Sequence, residues 1–246
     1  MKTFHILQHL DREGPGLFRR IAEEKGFITK VYRIDLGDEF PRLNKNDLIL
    51  ILGGPMGVED ISKRKFSWLK EEINLIKKSI KENVGILGVC LGAQLLAYAT
   101  GGKVEKLKGG KPLKFLPEVG WSEILIDQNS KYNQIFKEPL YGLHWHSDRI
   151  ILPPNADLIA STKRCREQLF TIAGSCIGIQ FHIEYDDEMI KRWITEDFKF
   201  INHALGPKGQ KTLLEQNQFY GKKTSKQRAL VINKLIDMII TNKKAP

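Results

Sequence analysis

A cysteine between two glycines is the first feature of this sequence that could do chemistry. Gly88-Val89-Cys90-Leu91-Gly92 closes an apolar run and precedes a helix-prone stretch. A nucleophile on such a strand-to-helix turn needs small neighbours because the turn is tight. The helix start lowers the pKa of a thiol, and the amide of Leu91 is free to face an oxyanion. By itself, the turn fits a buried structural cysteine equally well.

A nucleophilic thiol needs a base, and His182 is the best placed of the six histidines. It stands in Gln180-Phe181-His182-Ile183-Glu184, at the end of another apolar run. In an extended segment residues 182 and 184 share a face, so Glu184 can orient the imidazole as the acid of a Cys–His–acid triad does. Both runs would end at the carboxyl edge of a parallel sheet, where open α/β folds build their sites. Taken alone, the pair is better explained as polar residues at a strand end.

A glycine-rich loop, Gly53-Gly54-Pro55-Met56-Gly57, follows a third apolar run. Glycines allow a ligand to approach the backbone closely, and a free amide there could supply a second oxyanion donor. Phosphate binding is the alternative function. The loop lacks both the Walker Lys-Ser/Thr pair and the GxGxxG spacing, which argues against that alternative.

The elements that would position these residues alternate along the first hundred residues. Apolar runs predict strands over 3–8, 27–34, 47–52 and 84–89, and helical periodicity predicts helices around 17–22, 66–80 and 90–100. This alternation predicts an α/β fold, an open, mostly parallel sheet flanked by helices on both faces.

The second half of the sequence has a different pattern, with strand-like segments and few helices between them. The segments are 122–127, 140–146, 157–162, 169–174 and 176–182. They predict an antiparallel extension of the sheet. Helices are predicted over 187–204 and 225–240, the second with an apolar face that includes Leu230, Leu235 and Ile239. We expect a single domain over 1–246, with a catalytic core at about 1–190 and a basic helical C-terminal segment at about 191–246.

Composition excludes several classes of protein. The 246 residues are 41% hydrophobic and 28% charged, which is typical of a globular chain. No apolar run approaches the ~18 residues of a membrane span, and we identify no signal peptide. Three cysteines cannot build a disulfide framework, so a reducing cytoplasmic location is expected. Because the spacings CxxC and HxxxH are absent, we expect no metal site.

The net charge of +10 is unevenly distributed. Residues 191–246 contain 12 Lys and Arg against 4 Asp and Glu, and residues 103–114 contain five lysines and one acid. Nucleic-acid binding is one explanation of the C-terminal charge, and an acidic docking partner is one for 103–114. A solvated loop explains 103–114 better. A solvated helical face explains the C-terminal segment better, because no aromatic residues are interleaved there to stack on bases. Specific nucleic-acid binding is therefore not expected.

Three motifs together resemble one family closely. Gly53-Gly54-Pro55, then GVCLGAQLLA at 88–97, then QFHIE at 180–184 is similar to the signature order of class I glutamine amidotransferases of the Cys–His–Glu type. The resemblance implies a flavodoxin-like class I amidotransferase fold and covers roughly residues 1–190. It implies that Cys90 is the nucleophile, His182 the general base and acid, and Glu184 its orienting partner.

The same resemblance assigns supporting residues. The amides of Gly54 and Leu91 would form the oxyanion hole, and Gln94 would help to hold the amino-acid end of the substrate. Further segments resemble the free-standing, GMP-synthase-like subfamily, among them Glu118-Val119-Gly120-Trp121 and Trp145-His146-Ser147-Asp148. By that resemblance Trp145, His146, Ser147 and Asp148 line the glutamine pocket, whereas His144 is expected to be structural.

The family resemblance implies hydrolysis of a γ-glutamyl amide through a cysteine thioester, releasing ammonia and glutamate, with no cofactor. Three functions stay open. The chain could pass ammonia to a separate ATP-dependent synthetase. It could be a self-contained γ-glutamyl peptide hydrolase or transferase. It could also be a non-catalytic binding module on the same fold, although the intact Cys–His–Glu set argues against that.

Overall fold

The structure, a computed structural model, describes residues 2–109, 114–136 and 139–243. Thirteen strands and seven α-helices occur in these residues, with short 3₁₀ turns at 34–36, 58–62, 64–66 and 133–135. The strands are β1 Thr3–Gln8, β2 Ile28–Arg33, β3 Leu48–Ile51, β4 Gly85–Val89, β5 Lys103–Lys106, β6 Lys108–Gly109, β7 Lys114–Phe115, β8 Glu118–Ile126, β9 Leu140–His146, β10 Asp148–Ile151, β11 Ala156–Ser161, β12 Leu169–Ile172 and β13 Cys176–Ile179. The helices are α1 Gly16–Glu24, α2 Trp68–Lys81, α3 Leu91–Ala99, α4 Asp187–Glu196, α5 Phe198–Leu205, α6 Gly209–Lys223 and α7 Ser225–Asn242.

Nine of these strands form one sheet in the order β2-β1-β3-β4-β13-β12-β11-β8-β9. The pairs from β2 to β13 are parallel, and the pairs from β13 to β9 are antiparallel. The predicted open sheet with an antiparallel extension is therefore confirmed. The topology places β4 beside β13, with Val89 directly opposite Ile179. The residues that follow these two strands, far apart in sequence, therefore begin at the same edge of the sheet.

Alternation along the central strands fills a core on both faces of the sheet. On β3, Leu48 and Leu50 pack on one face with α1 and α7, and Ile49 and Ile51 pack on the other face with α2 and α3. A strand that is buried on both faces has to be apolar throughout, which explains the run LILI. These two layers fix the carboxyl ends of β3 and β4, where the glycine loop and Cys90 begin.

Helices α4, α5 and α6 lie over the end of the sheet that β8 and β9 form. Their buried side chains, among them Trp193 and Leu213, form a third apolar cluster with Trp121 and Trp145. The predicted single helix over 187–204 is wrong in one respect, because it breaks at Asp197 into α4 and α5. Helix α6 was not predicted.

Helix α7 agrees with the predicted helix over 225–240, with one correction. Val231, Leu235 and Ile239 are buried, but Leu230 is 52% exposed and does not belong to the packed face. The position one residue before Val231 falls outside the stripe that faces the sheet.

The basic segment 103–114 is not simply a solvated loop. Its first four residues form β5, which pairs antiparallel with β10. Residues 110–113 lie outside the described residues, as do residues 244–246 of the basic C-terminal segment. Among the described helices, none combines the length and apolar character needed to cross a membrane.

Candidate active site

Cys90 occupies the single residue between β4 and α3 with a backbone that few side chains adopt. Its φ is 50° and its ψ is −104°, in a region that is costly for non-glycine residues. A Cβ on Gly92 would overlap the carbonyl oxygen of Ile51, and one on Gly88 would lie 2.5 Å from the backbone of Gly92. Only glycine fits at positions 88 and 92, two residues before and two after the cysteine, so the strand-to-helix turn can be this sharp.

Hydrogen bonds hold the strained turn in place. The amide of Cys90 donates to the carbonyl of Ile179 over 2.7 Å, across the β4–β13 pair. The amide of Gln94 donates to the carbonyl of Cys90 over 3.1 Å and closes the first turn of α3. Leu91 is the first residue of that helix, where an amide has no intrahelical acceptor.

His182 lies just beyond β13, at the neighbouring strand end. It exchanges both backbone hydrogen bonds with Leu143, at 2.8 and 3.1 Å, which draws it towards β9. Its Nδ1 donates to Oε1 of Glu184 over 2.6 Å, and the other carboxylate oxygen accepts from the amide of Ile183 over 2.9 Å. With Nδ1 engaged, Nε2 is the ring nitrogen left for a second partner.

The second partner is Cys90, which meets His182 beside Gly53. A Cβ placed on Gly53 would lie 3.2 Å from Cε1 of His182 and 3.5 Å from Cβ of Cys90. Burial of the imidazole opposes its protonation, but the charge of Glu184 and the contact with Cys90 raise the pKa of His182 well above its usual value. A raised pKa favours the imidazolium, the form that pairs with a thiolate.

Arg228 fixes the backbone on both sides of Glu184. Its buried guanidinium donates to the carbonyls of Ile183 at 3.0 Å and Tyr185 at 2.6 Å. A third bond of 3.1 Å goes to the carbonyl of Gly221. The arginine belongs to α7, so the C-terminal helix positions Glu184.

His9 fixes the glycine loop that follows β3. Its Nδ1 donates to the carbonyl of Gly53 over 3.0 Å, and its Nε2 lies 3.0 Å from Oε1 of Glu72. The ring stacks on Trp68 at 5.2 Å with an angle of 4° between the planes. Burial works against the charged imidazole, but Glu72 and Gly53 raise the pKa of His9.

These elements surround a cavity of about 200 Å³. Seven of the residues to which the sequence analysis assigned a site role line it, namely Gly54, Cys90, Gln94, Trp145, His146, Ser147 and Asp148. Leu91, His182 and Glu184 are buried rather than cavity-lining, the last two at 2% exposure each. The structure thus brings all the predicted site residues to one place.

Specific contacts hold the segment from Trp145 to Asp148, which lines the cavity at the end of β9. Nε1 of Trp145 donates to Oδ2 of Asp197 over 2.7 Å, and Nδ1 of His146 donates to the carbonyl of Asp148 over 2.8 Å. Lys106 of β5 forms an ion pair of 2.9 Å with Asp148. The basic segment 103–114 therefore supports the site through one of its lysines.

Further cavity residues were not predicted from the sequence. They come from the loop after β1 and from the C-terminal segment, and they are Arg12, Glu13, Asp197 and Phe200. Pro55 and Met56 of the glycine loop that the sequence analysis singled out line the cavity as well. Burial raises the pKa of Glu13, and the negative charge of Glu184 acts in the same direction. Arg12 pairs with Asp197 at 3.1 Å. Asp197 and Phe200 carry no local sequence signal, because they reach the cavity only through the packing of α4 and α5 over β9.

One group of described side chains could hold a metal ion, namely Glu118, His144 and His146. His144 is fully buried, and burial lowers its pKa to about 3. Burial favours the neutral form of Glu118, but the approach of His146 and His144 and a bond from Thr162 lower its pKa to about 2. His144 is predicted from the sequence to be structural. That prediction gives no reason for a fully buried imidazole 3.6 Å from the carboxylate of Glu118.

The chain has clear relatives among known proteins. The family profile described as glutamine amidotransferase class-I matches residues 17–200. A solved glutamine amidotransferase of Thermotoga maritima superposes with a TM-score of 0.81 at 26% identity, over 98% of both chains.

Two relatives carry more specific names. Gamma-glutamyl peptidase 2 of Arabidopsis thaliana is 27% identical over 77% of this chain and 76% of its own length. One of the subunits of the glutamine-hydrolysing GMP synthase of Saccharolobus solfataricus is 33% identical over 58% of this chain and 69% of its own length.

Proposed function

This chain belongs to the class I glutamine amidotransferase family, and from that premise we propose that it hydrolyses a γ-glutamyl amide through a thioester on Cys90. The observation that carries the proposal is the placement of His182. Glu184 holds its Nδ1 at 2.6 Å, and Cys90 lies beside the same ring. A nucleophile, a base and an orienting acid in this arrangement are the parts that acyl transfer requires.

The reaction begins with attack of the Cys90 thiolate on the side-chain carbonyl carbon of the substrate. The amides of Gly54 and Leu91 would stabilise the tetrahedral oxyanion. The imidazolium of His182 gives its proton to the departing amine, and the carbon–nitrogen bond breaks to leave the thioester. His182 then takes a proton from water, the resulting hydroxide attacks the thioester, and glutamate leaves with the thiolate restored.

The cavity supports a substrate the size of a glutamyl group. A volume of about 200 Å³ is below that of typical drug-sized sites and suits a small amino acid. The α-amino group of a γ-glutamyl compound is a cation, and Asp148 and Asp197 place carboxylates in the wall. Gln94, one helical turn beyond Cys90, is held at 3.3 Å by Gln180 and can bind the amino-acid end.

Two identities of the leaving group follow from two relatives. With ammonia as leaving group, the chain would supply a separate ATP-dependent synthetase, and the similarity to part of a GMP synthase supports that role. With an amino acid or peptide as leaving group, the chain would act alone. The alignment with a gamma-glutamyl peptidase over 77% of the chain supports the second role. So does the cavity wall, because Asp197 and Phe200 of the chain itself help to enclose it.

The test measures glutamate release by the purified chain from glutamine and from a panel of γ-glutamyl peptides, as kcat/KM, with and without cell extract and ATP. We expect hydrolysis of at least one γ-glutamyl compound by the chain alone. Cys90→Ala should abolish it, whereas Cys176→Ala, a change at a buried cysteine on the adjacent strand, should not.

Hydrolysis that survives in Cys90→Ala would refute the thioester mechanism. Activity that appears only with extract, and that co-purifies with an ATP-dependent synthetase, would assign the chain the role of ammonia supplier and refute the self-contained one.

A further inference from the structure

Three buried side chains converge on one face of the antiparallel pair β8–β9. Glu118 stands directly opposite His146 in the register, and His144 lies two residues before His146 on the same strand. Residues at i and i+2 of a strand point to the same face. Oε2 of Glu118 is 3.3 Å from Nε2 of His146 and 3.6 Å from Nδ1 of His144.

The imidazoles of this cluster are short of hydrogen-bond partners. Both ring nitrogens of His144 and Nε2 of His146 are buried with no hydrogen-bond partner. Buried polar groups in native proteins are nearly always satisfied, so three such atoms within one cluster need an explanation. The exposed fractions of the three side chains are 5% or less.

The position of the proton on the His146 ring makes the contact with Glu118 harder to explain without a bound ion. Its Nδ1 lies 2.8 Å from the carbonyl of Asp148, which can only accept, so the proton of the neutral ring is on Nδ1. Nε2 then presents a lone pair towards a carboxylate oxygen 3.3 Å away. Two electron-rich atoms at this distance repel each other unless a proton or a metal ion lies between them. A proton there would satisfy His146 but would leave both nitrogens of His144 without a partner.

We propose that Glu118, His144 and His146 form a binding site for a divalent transition-metal ion of the zinc class. Two ligand atoms about 2.1 Å from a tetrahedral ion lie about 3.4 Å apart, which agrees with the 3.3 and 3.6 Å measured here. One ligand atom from each residue lies within 4.8 Å of the others. Two imidazoles and one carboxylate favour zinc and its neighbours over magnesium or calcium.

The hydrogen bonds around the three side chains are of the kind that orient metal ligands. A histidine that binds a metal usually donates its other ring nitrogen to a backbone carbonyl, as His146 does to Asp148. Ligating carboxylates are usually hydrogen-bonded as well. Glu118 accepts from Thr162 at 2.8 Å and from Gln168 at 2.7 Å.

The cluster lies between two cavities. A surface cavity of about 310 Å³ is lined by Glu118, Ser122 and Thr162, among others. His146 lines the catalytic cavity. The ion would therefore tie the carboxyl end of β9 to β8 and fix the strip from Trp145 to Asp148 behind the substrate.

The sequence expectation of no metal site considered only the spacings CxxC and HxxxH. The HxH spacing of His144 and His146 is a ligand pair only on a strand, and its carboxylate comes from a partner strand whose register the sequence does not reveal.

The experiment uses the full chain in a Cys90→Ala background, so that the catalytic thiol cannot hold metal. The protein is stripped with a chelator and dialysed against Zn²⁺ or Co²⁺, and bound metal is counted per chain. We expect about one ion per chain, a visible absorption spectrum of tetrahedral Co²⁺, and a rise in Tm with Zn²⁺.

His144→Asn and Glu118→Gln should each lower the metal affinity by at least about tenfold. The matched control is His5→Asn, because His5 is also a buried histidine beside an acid, 3.4 Å from Asp47, but has no second imidazole. It should bind like the parent chain.

A parent chain that retains no stoichiometric ion, gives no tetrahedral Co²⁺ spectrum and shows no rise in Tm overturns the proposal, whether or not the variants fold. Equal binding by the parent and His144→Asn would also overturn it, since the ion would then lie elsewhere. None of these measurements uses hydrolysis, so their outcome is independent of the function proposed above.

Discussion

Nδ1 of His9 lies 3.0 Å from the carbonyl oxygen of Gly53, so the end of β1 fixes the loop that carries the proposed oxyanion amide. A carbonyl only accepts, and an ionised Glu72 at 3.0 Å from Nε2 also only accepts. Both ring nitrogens therefore donate when the imidazole is charged, which agrees with the raised pKa of His9.

His9→Gln should lower kcat by about tenfold to a hundredfold with a smaller change in KM, because a displaced amide at Gly54 binds the oxyanion poorly. Steady-state kinetics check this. The matched control is His203→Gln, a change at an exposed histidine. A KM effect with unchanged kcat would mean that the loop binds substrate instead.

The same contact predicts a pH dependence of stability. A histidine whose pKa is raised on folding contributes stability that is fully present below about pH 6.5 and is lost as the pH rises through the folded pKa. The difference in free energy of unfolding between the parent chain and His9→Gln should therefore shrink as the pH rises above about 6.5 and through the raised pKa of His9. Urea unfolding at several pH values measures it, and a difference that grows with pH would contradict the charged pair.

The three cysteines should react very differently with a glutamine-like electrophile. Burial raises the pKa of Cys165 to about 12 and that of Cys176 to about 11, so neither forms thiolate at neutral pH. Cys90 stands beside the imidazole of His182. Peptide mapping after labelling should find the adduct on Cys90 alone. Equal labelling of all three thiols would mean that Cys90 is not activated.

Replacement of Glu184 should shift the pH–rate profile. The charge of Glu184 is the main influence that raises the pKa of His182 against burial. In Glu184→Gln the imidazolium should lose its proton at lower pH, so the alkaline limb of the kcat/KM profile should move to lower pH. The maximal rate should fall less than in His182→Ala, because the base remains. An unmoved limb would show that another group controls the titration.

The close packing around Gly92 predicts that adding one methyl group there greatly lowers the free energy of unfolding. Gly92→Ala would drive its Cβ into the carbonyl oxygen of Ile51, and we expect a loss of about 3 kcal/mol in the free energy of unfolding. Gly14→Ala is the control, since a Cβ there meets nothing within 4 Å. Chemical denaturation of both variants measures the difference, and equal losses would contradict the packing argument.

The sheet was predictable from sequence because its central strands are buried on both faces and therefore read as short apolar runs, as Leu48–Ile51 does. Helix α6 was not predictable in this way, because Leu213 is the one buried apolar side chain among its fifteen residues and no apolar helical stripe results. Strand β5 was not predicted, because its charged residues read as a solvated surface and its strand structure depends on pairing with β10.

The residues at the centre of the site could be recognised from local sequence motifs, whereas several residues of the cavity wall could not. Cys90 and His182 stand next to glycines or apolar runs that mark strand ends. Asp197 and Phe200 reach the cavity only because α4 and α5 pack over β9. The pairing of Glu118 with His146 depends on strand register, which no residue pattern encodes by itself.

The bonds from Arg228 to the carbonyls of Ile183 and Tyr185 span 45 and 43 residues of chain, and this sets an order of events during protein synthesis. A ribosome-bound chain that has completed the segments around Cys90 and His182 still lacks the helix that fixes Glu184. The backbone on both sides of Glu184 has no guanidinium to hold it until α7 has emerged and packed. Hydrolytic competence would thus arise late in translation, after the segments that enclose the substrate are already present.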